Sequence, residues 1–171
     1  IVALAKVDDA TKARYTKTVA DLASRGYRAL GVAQSADGKA WELVGLISMQ
    51  DPPRPDAKAT IAQTEQLGLN VKMVTGDDVA IGDQIAKQLG MGDKLVVASD
   101  VFKDGTTSIS PDIATAVERA DGFGRVFPQH KYEIVKALQQ RGHIVAMTGD
   151  GVNDAPALRQ ADCGIAVSGA T

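Results

Sequence analysis

The chain has 171 residues, of which 44% are hydrophobic and 23% charged, values typical of a soluble globular protein with one domain and room for part of another. Its formal net charge is −2, so the composition indicates neither a nucleic acid nor an anionic membrane surface as a partner. The single cysteine, Cys163, excludes an internal disulfide and a cysteine-cluster metal site, and its apolar neighbours predict a buried, inert thiol.

The first part of the chain predicts a helix between strand-like segments. Apolar residues recur at helical spacing within residues 11–25, which predicts an amphipathic helix. Strand-like runs occupy residues 1–7, 27–33 and 41–48. The next segment tolerates neither a helix nor a central strand, because it reads Asp51, Pro52, Pro53, Arg54 and Pro55. Since proline favours extended backbone, we predict a stiff hinge here, with an ordinary loop as the alternative.

Beyond the prolines the predicted elements alternate between strand and helix. Strands are predicted at residues 70–74, 95–98, 122–126, 143–147 and 163–167. Helices are predicted at residues 56–67, 78–89, 111–119, 129–141 and 155–161. This alternation predicts an α/β fold, a Rossmann-like parallel sheet with helices on both faces. Ligands bind such sheets at the carboxyl ends of the strands, so the loops there are the candidate functional segments.

The first candidate loop contains Thr75, Gly76 and Asp77, between a predicted strand and a predicted helix. The threonine hydroxyl, the accessible glycine backbone and the amides that open the helix together predict a phosphate cradle. The alternative is a loop in which Thr75 or Asp77 only caps the helix.

The second candidate loop, residues 147–154, also joins a strand to a helix. Asp154 stands where a dinucleotide-binding loop carries its third glycine, and its carboxylate would repel a pyrophosphate, so a dinucleotide site is excluded. Asp150 and Asp154, with Asn153 between them, suit Mg2+, a hard cation that prefers oxygen ligands. The alternative is a tight turn with Asp154 as a helix cap. The glycines on either side of Asp150 favour an outward-facing carboxylate.

The third candidate loop, residues 125–131, ends with a lysine in the first turn of a predicted helix. The helix dipole disfavours a cation there, so Lys131 is better explained if it faces an anion, with a solvated surface lysine as the alternative. His130 has no second histidine at ligand spacing, and we assign it no metal. Together the loops offer a hydroxyl, a lysine and two carboxylates, which suit phosphoryl transfer through a carboxylate. The nucleophilic carboxylate is missing from the set.

Residues 150–158, DGVNDAPAL, resemble a signature of the P-type ATPases, a branch of the haloacid-dehalogenase-like superfamily. Two further segments of that family's pattern precede it at the expected places, Thr75-Gly76-Asp77 and Asp51-Pro52-Pro53-Arg54. The similarity runs from about Gly26 to Thr171. The flanking residues 72–77, 80–82 and 126–136 are most similar to the plasma-membrane proton-pump subfamily.

The resemblance implies a role for each matching residue around a phosphoryl group. Asp150 and Asp154 would bind the catalytic Mg2+, and Asn153 and Asp154 would arrange the metal site and the phosphoryl group. Lys131 would neutralise the charge of an aspartyl phosphate.

The resemblance also implies contacts with the substrate, ATP. Thr75 and Gly76 would hold the phosphoryl oxygens, and Asp77 would lie towards the nucleotide. Arg28 matches an arginine that contacts ATP phosphates, and Arg125 stands where other branches of the family carry a nucleotide-contacting arginine.

The resemblance divides the chain into a C-terminal part of a nucleotide-binding domain (residues 1–48), a hinge (residues 49–55) and an incomplete phosphorylation domain (residues 56–171). The phosphorylated Asp-Lys-Thr-Gly-Thr motif is missing, as are the actuator, most of the nucleotide domain and every membrane helix. The strand that carries the nucleophile is expected at the centre of the sheet, so we expect marginal stability. The isolated chain is expected neither to hydrolyse ATP nor to form a phosphoenzyme.

The sequence begins with Ile1, has no signal peptide and ends in a turn-like Ser168–Thr171 segment, so both ends are expected to be cut. It also lacks a run of the ~18 apolar residues that span a bilayer. We therefore expect a soluble segment on the cytoplasmic side of a cell-membrane pump, whose other parts are its partners. The alternatives are a soluble phosphatase of the same superfamily and a non-catalytic binding domain that has lost its nucleophile.

Overall fold

The computed structural model describes residues 1–103 and 108–167. Its first part, which we call the N-terminal unit (residues 1–49), contains helix α1 (Asp9–Ala23) and an antiparallel hairpin of β1 (Arg28–Gln34) and β2 (Glu42–Met49). The Asp8 carboxylate caps α1 by accepting a hydrogen bond from the Thr11 amide at 2.6 Å. The helix and both hairpin strands were predicted from the sequence.

The strand predicted at residues 1–7 is wrong, because this segment forms turns. The Ala5 amide donates to the Ile1 carbonyl oxygen at 2.9 Å, and Lys6 has a φ of 47°, a left-handed conformation that no strand residue adopts. Apolar composition alone therefore misled the prediction. The predicted amphipathic face of α1 is also weak, since none of its residues is buried.

The second part, which we call the C-terminal unit (residues 57–167), alternates strands and helices. Its strands are β3 (Met73–Val74), β4 (Leu95–Val97), β5 (Gly122–Gly124), β6 (Ala146–Gly149) and β7 (Cys163–Ala166). Its helices are α2 (Ala57–Gln66), α3 (Val79–Leu89), α4 (Ala98–Val101), α5 (Pro111–Arg119), α6 (Pro128–Gln140) and α7 (Ala155–Gln160), with a 3-10 turn at Val152–Asp154. Among these described residues, no helix has both the length and the apolar character needed to cross a membrane.

Local chemistry explains where the helices begin and end. Ser110 accepts a hydrogen bond from the Ile113 amide at 3.2 Å, and Pro111 then supplies the fixed φ that suits the first turn of α5. At the C-terminal end of α3, Gly90 has a φ of 81°, a conformation that glycine adopts without steric cost. These helices match the predicted ranges closely, whereas the short helix α4 was not predicted.

All pairings within the C-terminal unit are parallel, as predicted, but the described strands form two ladders rather than one. The first ladder has the order β3-β5-β4 and the second pairs β6 with β7. One buried cluster, centred on Phe123 and Val117, lies between the first ladder and α5 and α6. A second cluster, around Ala86 and Leu95, lies on the opposite face with α2 and α3. Helices therefore flank the parallel strands, which confirms the predicted fold class.

The handedness of the connections determines how the two ladders are ordered. Helices α5 and α6 follow β4 and β5 and contribute to the same buried cluster. Successive right-handed crossovers over one face place each following strand further along the sheet in the same direction. The step from β4 to β5 therefore sets the direction in which β6 and β7 lie, beyond β3. Helix α3, which connects β3 to β4 in the opposite direction, lies on the other face. The parallel sheet of the described residues is therefore interrupted between β3 and β6.

Cys163 is exposed, so the prediction of a buried thiol is wrong. Every residue of β7 is exposed, and the buried cluster beside β6, which includes residues of α6 and α7, contains no residue of β7. The predicted turn-like segment at residues 168–171 lies outside the described residues.

Candidate phosphoryl-transfer site

Backbone hydrogen bonds join the loops that follow β3 and β5. The Val126 amide donates to the Thr75 carbonyl oxygen at 3.1 Å, and the Arg125 amide donates to the Asp77 carbonyl oxygen at 2.7 Å. Parallel strands end at a common edge of the sheet, and these bonds hold the two loops against each other there. The first and third candidate loops therefore form one connected surface.

Within the first loop, the threonine and the helix cap are separate features. The Thr75 hydroxyl oxygen accepts a hydrogen bond from the Asp77 amide at 3.1 Å, while Gly76 is exposed. The cap of α3 is Asp78, whose carboxylate accepts a hydrogen bond from the Ala80 amide at 3.0 Å. Neither Thr75 nor Asp77 caps the helix, so the simplest alternative to a phosphate cradle does not apply to this loop.

Arg125 pairs with Asp78 in a strained backbone conformation. Its Nε and Nη2 atoms lie 3.0 and 2.5 Å from Asp78 Oδ2, and its φ of 53° is uncommon for any residue but glycine. The hydrogen bond from the Ala80 amide, and after it the Arg125 side chain, lower the pKa of Asp78. The predicted nucleotide-contacting arginine is therefore held by a carboxylate that the sequence reasoning did not single out.

Arg28 reaches the same loop from the N-terminal unit. Its Nη2 atom lies 2.6 Å from Asp77 Oδ1 and 2.8 Å from Oδ2, although 49 positions separate the two residues. The hydrogen bond to Asp77, and after it the charge of that carboxylate, raise the pKa of Arg28 above its ordinary value. Two residues that were predicted to face ATP therefore bind each other.

A second group of candidate residues lies at the end of β6. Lys131 Nζ contacts Asp154 Oδ1 at 2.5 Å, and their side chains are 21% and 5% exposed. Asp154 lies against Gly149, where an added Cβ would come within 2.6 Å of Asp154 Oδ2. The glycine before Asp150 therefore makes room for Asp154, which is a role that the sequence reasoning missed.

Asp150 and Asn153 are exposed and precede or lie within the 3-10 turn that ends at Asp154. In the described part of the chain, no cluster of three or more His, Cys, Asp or Glu side chains could hold a metal ion. Nor does any hydrogen bond or ion pair among the described side chains link Thr75 or Asp77 to Lys131 or Asp154. The candidate residues thus form two groups rather than one closed site.

His130 has a structural role between the two groups. It is buried, its Nδ1 accepts a hydrogen bond from the Phe127 amide at 3.3 Å, and its ring stacks on Phe102 with centroids 5.9 Å apart. These contacts anchor the first turn of α6, which carries Lys131.

The predicted hinge contains neither helix nor strand at residues 50–54. Arg54 Nε lies 3.7 Å from Asp56 Oδ1, and the Ala57 amide donates to the Arg54 carbonyl oxygen at 3.0 Å. Asp51, Pro52 and Pro53 therefore lie in an irregular connection between the hairpin and α2.

Comparisons with known proteins point to one family. The sequence matches a family model described as haloacid dehalogenase-like hydrolase over residues 4–162. It is 54% identical over 158 residues to plasma membrane ATPase 1 of Schizosaccharomyces pombe, and the aligned region covers 92% of this chain and 17% of that protein. It is 51% identical over 158 residues to plasma membrane ATPase 1 of Saccharomyces cerevisiae, again 92% of this chain and 17% of that protein.

A third relative is a putative cation-transporting ATPase of Methanocaldococcus jannaschii, 50% identical over 173 positions that cover 100% of this chain and 21% of that protein. The chain therefore spans between 17% and 21% of the length of these three relatives. The predicted similarity to P-type plasma-membrane ATPases is confirmed over most of this chain. The chain belongs to the haloacid dehalogenase-like hydrolase family.

Proposed function

We propose that this chain is the cytoplasmic catalytic segment of an ATP-driven cation pump, that the cation is a proton, and that the pump works through an aspartyl phosphate. The observation that carries the proposal is that β3 and β6 each end a separate ladder with an open edge. Candidate residues follow both strands, on the two sides of the interruption that we infer between them. Thr75 and Gly76 follow β3, while Asp150 follows β6. A strand placed between them would end beside both groups.

The backbone at the two open edges supports this proposal. The Met73 and Thr75 amides donate to carbonyl oxygens at positions 121 and 123, on the side of β5, so the N–H and C=O groups of Val74 point the other way. On β6, the carbonyl oxygens of Val145 and Gly149 accept hydrogen bonds from β7 and its flank. The backbone groups at positions 146 and 148 therefore face the interruption. The unpaired groups of such edges are a template on which a further strand can pair.

The chemistry that we assign to the completed site is transfer of the ATP γ-phosphoryl group to a carboxylate on the inserted strand. An oxygen of that carboxylate bonds to the γ-phosphorus as the bond to the ADP oxygen breaks, and ADP leaves. Water then attacks the acyl phosphate, and inorganic phosphate leaves as the carboxylate returns. In this proposal Lys131 offsets the phosphoryl charge, while the Thr75 hydroxyl and the Gly76 backbone orient its oxygens.

The donor set is compatible with Mg2+. This ion usually binds one or two protein carboxylates together with substrate phosphates and waters, so two carboxylates at the end of β6 suffice. Asp150, whose carboxylate is exposed, and Asp154 would hold the ion, and Asn153 would help to arrange the site. When bound, Mg2+ supplies charge neutralisation at the transferring phosphoryl group.

We assign residues 1–48 to the end of a nucleotide-binding domain, residues 49–55 to the hinge and residues 56–171 to an incomplete phosphorylation domain. Arg28 and Arg125 then contact ATP from the two sides of the hinge. The whole pump lies in the cell membrane, with this segment on its cytoplasmic side, and the isolated chain is inactive because it lacks the nucleophile.

Phosphate incorporation from radiolabelled ATP tests this proposal. The natural polypeptide that contains this chain should form an Mg2+-dependent, acid-stable phosphoprotein, and hydroxylamine should release the label because it cleaves acyl phosphates. The 171-residue chain alone should incorporate none and should not hydrolyse ATP. Steady Mg2+-dependent ATP hydrolysis by the pure chain, or a hydroxylamine-resistant label on the natural polypeptide, would refute the proposal.

A further inference from the structure

The carboxylate of Asp78 has two partners, and each of its oxygens serves one of them. Oδ1 accepts a hydrogen bond from the Ala80 amide at 3.0 Å, which caps α3. Oδ2 lies 3.0 Å from Nε and 2.5 Å from Nη2 of Arg125. Serine and asparagine cap helices as well as aspartate does, so the cap alone does not require a second carboxylate oxygen. The contact with Arg125 therefore calls for a separate explanation.

The backbone around Arg125 is held against the start of α3. The Arg125 amide donates to the Asp77 carbonyl oxygen at 2.7 Å. A Cβ added to Gly124 would lie 2.7 Å from Val79 Cγ2 and 2.9 Å from Val79 Cα, so the end of β5 packs directly on the first residue of α3. Arg125 is thus held at its backbone by these contacts and at its guanidinium by Asp78, and a side chain held at both ends keeps few orientations.

One nitrogen of the Arg125 guanidinium is left for a ligand. Nε and Nη2 form one of the edges through which a guanidinium binds an anion, and Asp78 occupies that edge. Within residues 1–103 and 108–167, Nη1 makes no hydrogen bond or ion pair. The Arg125 side chain is 63% exposed, so a ligand in solution can reach it. The arginine is therefore oriented by the protein and still has a donor to offer.

We propose that Asp78 is a positioning residue for ATP: it orients the Arg125 guanidinium so that Nη1 is presented to the nucleotide. The inference rests on the proposed function in that it takes ATP as the ligand of Arg125. A freely rotating arginine loses rotamer freedom when it binds a ligand, and this loss weakens binding. Because Asp78 has already restricted Arg125, ATP should bind about two- to fivefold more tightly than it would without this carboxylate.

The charge of Asp78 acts in the opposite direction. A carboxylate beside Arg125 lowers the attraction of this region for a polyphosphate, so removal of the charge alone would tighten ATP binding. The two side chains are 40% and 63% exposed, and salt therefore screens this effect. At about 0.5 M salt the Debye length is about 4 Å, which exceeds the length of the Asp78–Arg125 contact. Measurements at this salt concentration therefore favour the effect of orientation over that of charge.

The variant Asp78→Ser separates the two partners of the carboxylate. Serine keeps a capping oxygen for α3 but cannot reach the guanidinium. In the natural polypeptide that contains this chain, the KM for ATP should rise about two- to fivefold, and kcat should stay unchanged because Asp78 does not touch the reacting atoms. The Kd of a non-hydrolysable ATP analogue should rise by the same factor, which shows that the change in KM reflects binding.

A double-mutant cycle shows whether Asp78 acts through Arg125. Arg125→Gln should itself weaken ATP binding, and Asp78→Ser added to it should have no further effect. Asp78→Glu, which keeps the charge and both carboxylate oxygens, should restore part of the affinity. Asp8→Ser is the matched control, because Asp8 also caps a helix, through the Thr11 amide, and its carboxylate makes no ion pair among the described residues. It should leave KM and kcat unchanged.

Each outcome decides the proposal. An unchanged or lower Kd for Asp78→Ser would overturn it, and so would an equal rise in the Arg125→Gln background, because Asp78 would then not act through the arginine. If far-UV circular dichroism shows that Asp78→Ser does not fold, Asp78→Asn, which also keeps the cap, takes its place in the cycle. If the natural polypeptide forms no phosphoprotein, the proposed function fails. Analogue binding that Asp78→Ser weakens only where Arg125 is present would then leave the role of Asp78 standing, and absent or insensitive binding would overturn it.

Discussion

The buried ion pair between Lys131 and Asp154 gives the sharpest prediction about stability. Its atoms are 2.5 Å apart, and the Asp154 side chain is only 5% exposed, so water solvates the carboxylate poorly if the lysine is removed. Loss of one partner of a buried pair costs about 3–5 kcal/mol. Since Lys131 is 21% exposed, we expect Lys131→Met to cost about 3 kcal/mol, the lower end of that range.

Urea unfolding followed by far-UV circular dichroism measures this cost. With a slope of about 2 kcal/mol per molar urea, the midpoint of Lys131→Met should fall by about 1.5 M. Asp154→Asn should cost less, because the lysine that remains reaches solvent. The double variant should be more stable than the sum of the single effects predicts, by about 1–3 kcal/mol.

Lys136→Met is the control, because it lies on the same helix with its Nζ 6.0 Å from the Tyr132 ring centroid. Its expected cost is at most about 1 kcal/mol. If Lys131→Met cost no more than Lys136→Met, or if the two effects at Lys131 and Asp154 simply added, the pair would not be the buried, coupled contact that we describe.

Three further predictions follow from single positions. Gly122→Ala should destabilise the chain by about 1–3 kcal/mol, because its Cβ would clash with the backbone of β3. Gly45→Ala is the control and should not destabilise it, because no atom lies within 4 Å of that Cβ. Equal melting temperatures for the two variants would contradict this prediction. The pKa of Asp78 is lowered in the folded chain, so the ionised carboxylate stabilises the fold above the unfolded pKa of about 3.9, and this stabilisation is lost as the pH falls. The difference in melting temperature between the parent chain and Asp78→Asn should therefore shrink below about pH 4. A difference that grew at low pH would contradict the prediction. Cys163 is exposed, so a thiol reagent should modify it without denaturant, and modification only on unfolding would contradict its placement.

The sequence predicted helices better than strands, because helix ends carry local signals. Ser110 and Pro111 define the start of α5, and Asp78 and Gly90 bound α3. Strands depend on partners elsewhere in the chain, so β3 has two residues where five were predicted. The turn at residues 1–7 shows the same weakness, since its apolar residues carry no signal for the left-handed conformation of Lys6.

The positions of the candidate loops could also be predicted, since each follows a strand or opens a helix. Their pairings could not, because no sequence pattern relates Arg28 to Asp77 across 49 positions or assigns Asp78 to Arg125. The role of Gly149 depends on where Asp154 lies after folding. That the set lacks its nucleophilic carboxylate stays a prediction.

The measurement that tests the central claim most directly is the size and location of the natural polypeptide in its source cell. Intact mass, combined with separation of membrane and soluble fractions, decides the matter. The account predicts a polypeptide several times longer than 171 residues, confined to membranes. A soluble natural chain of about this length would contradict the pump assignment and leave either a soluble phosphatase or a binding domain without a nucleophile.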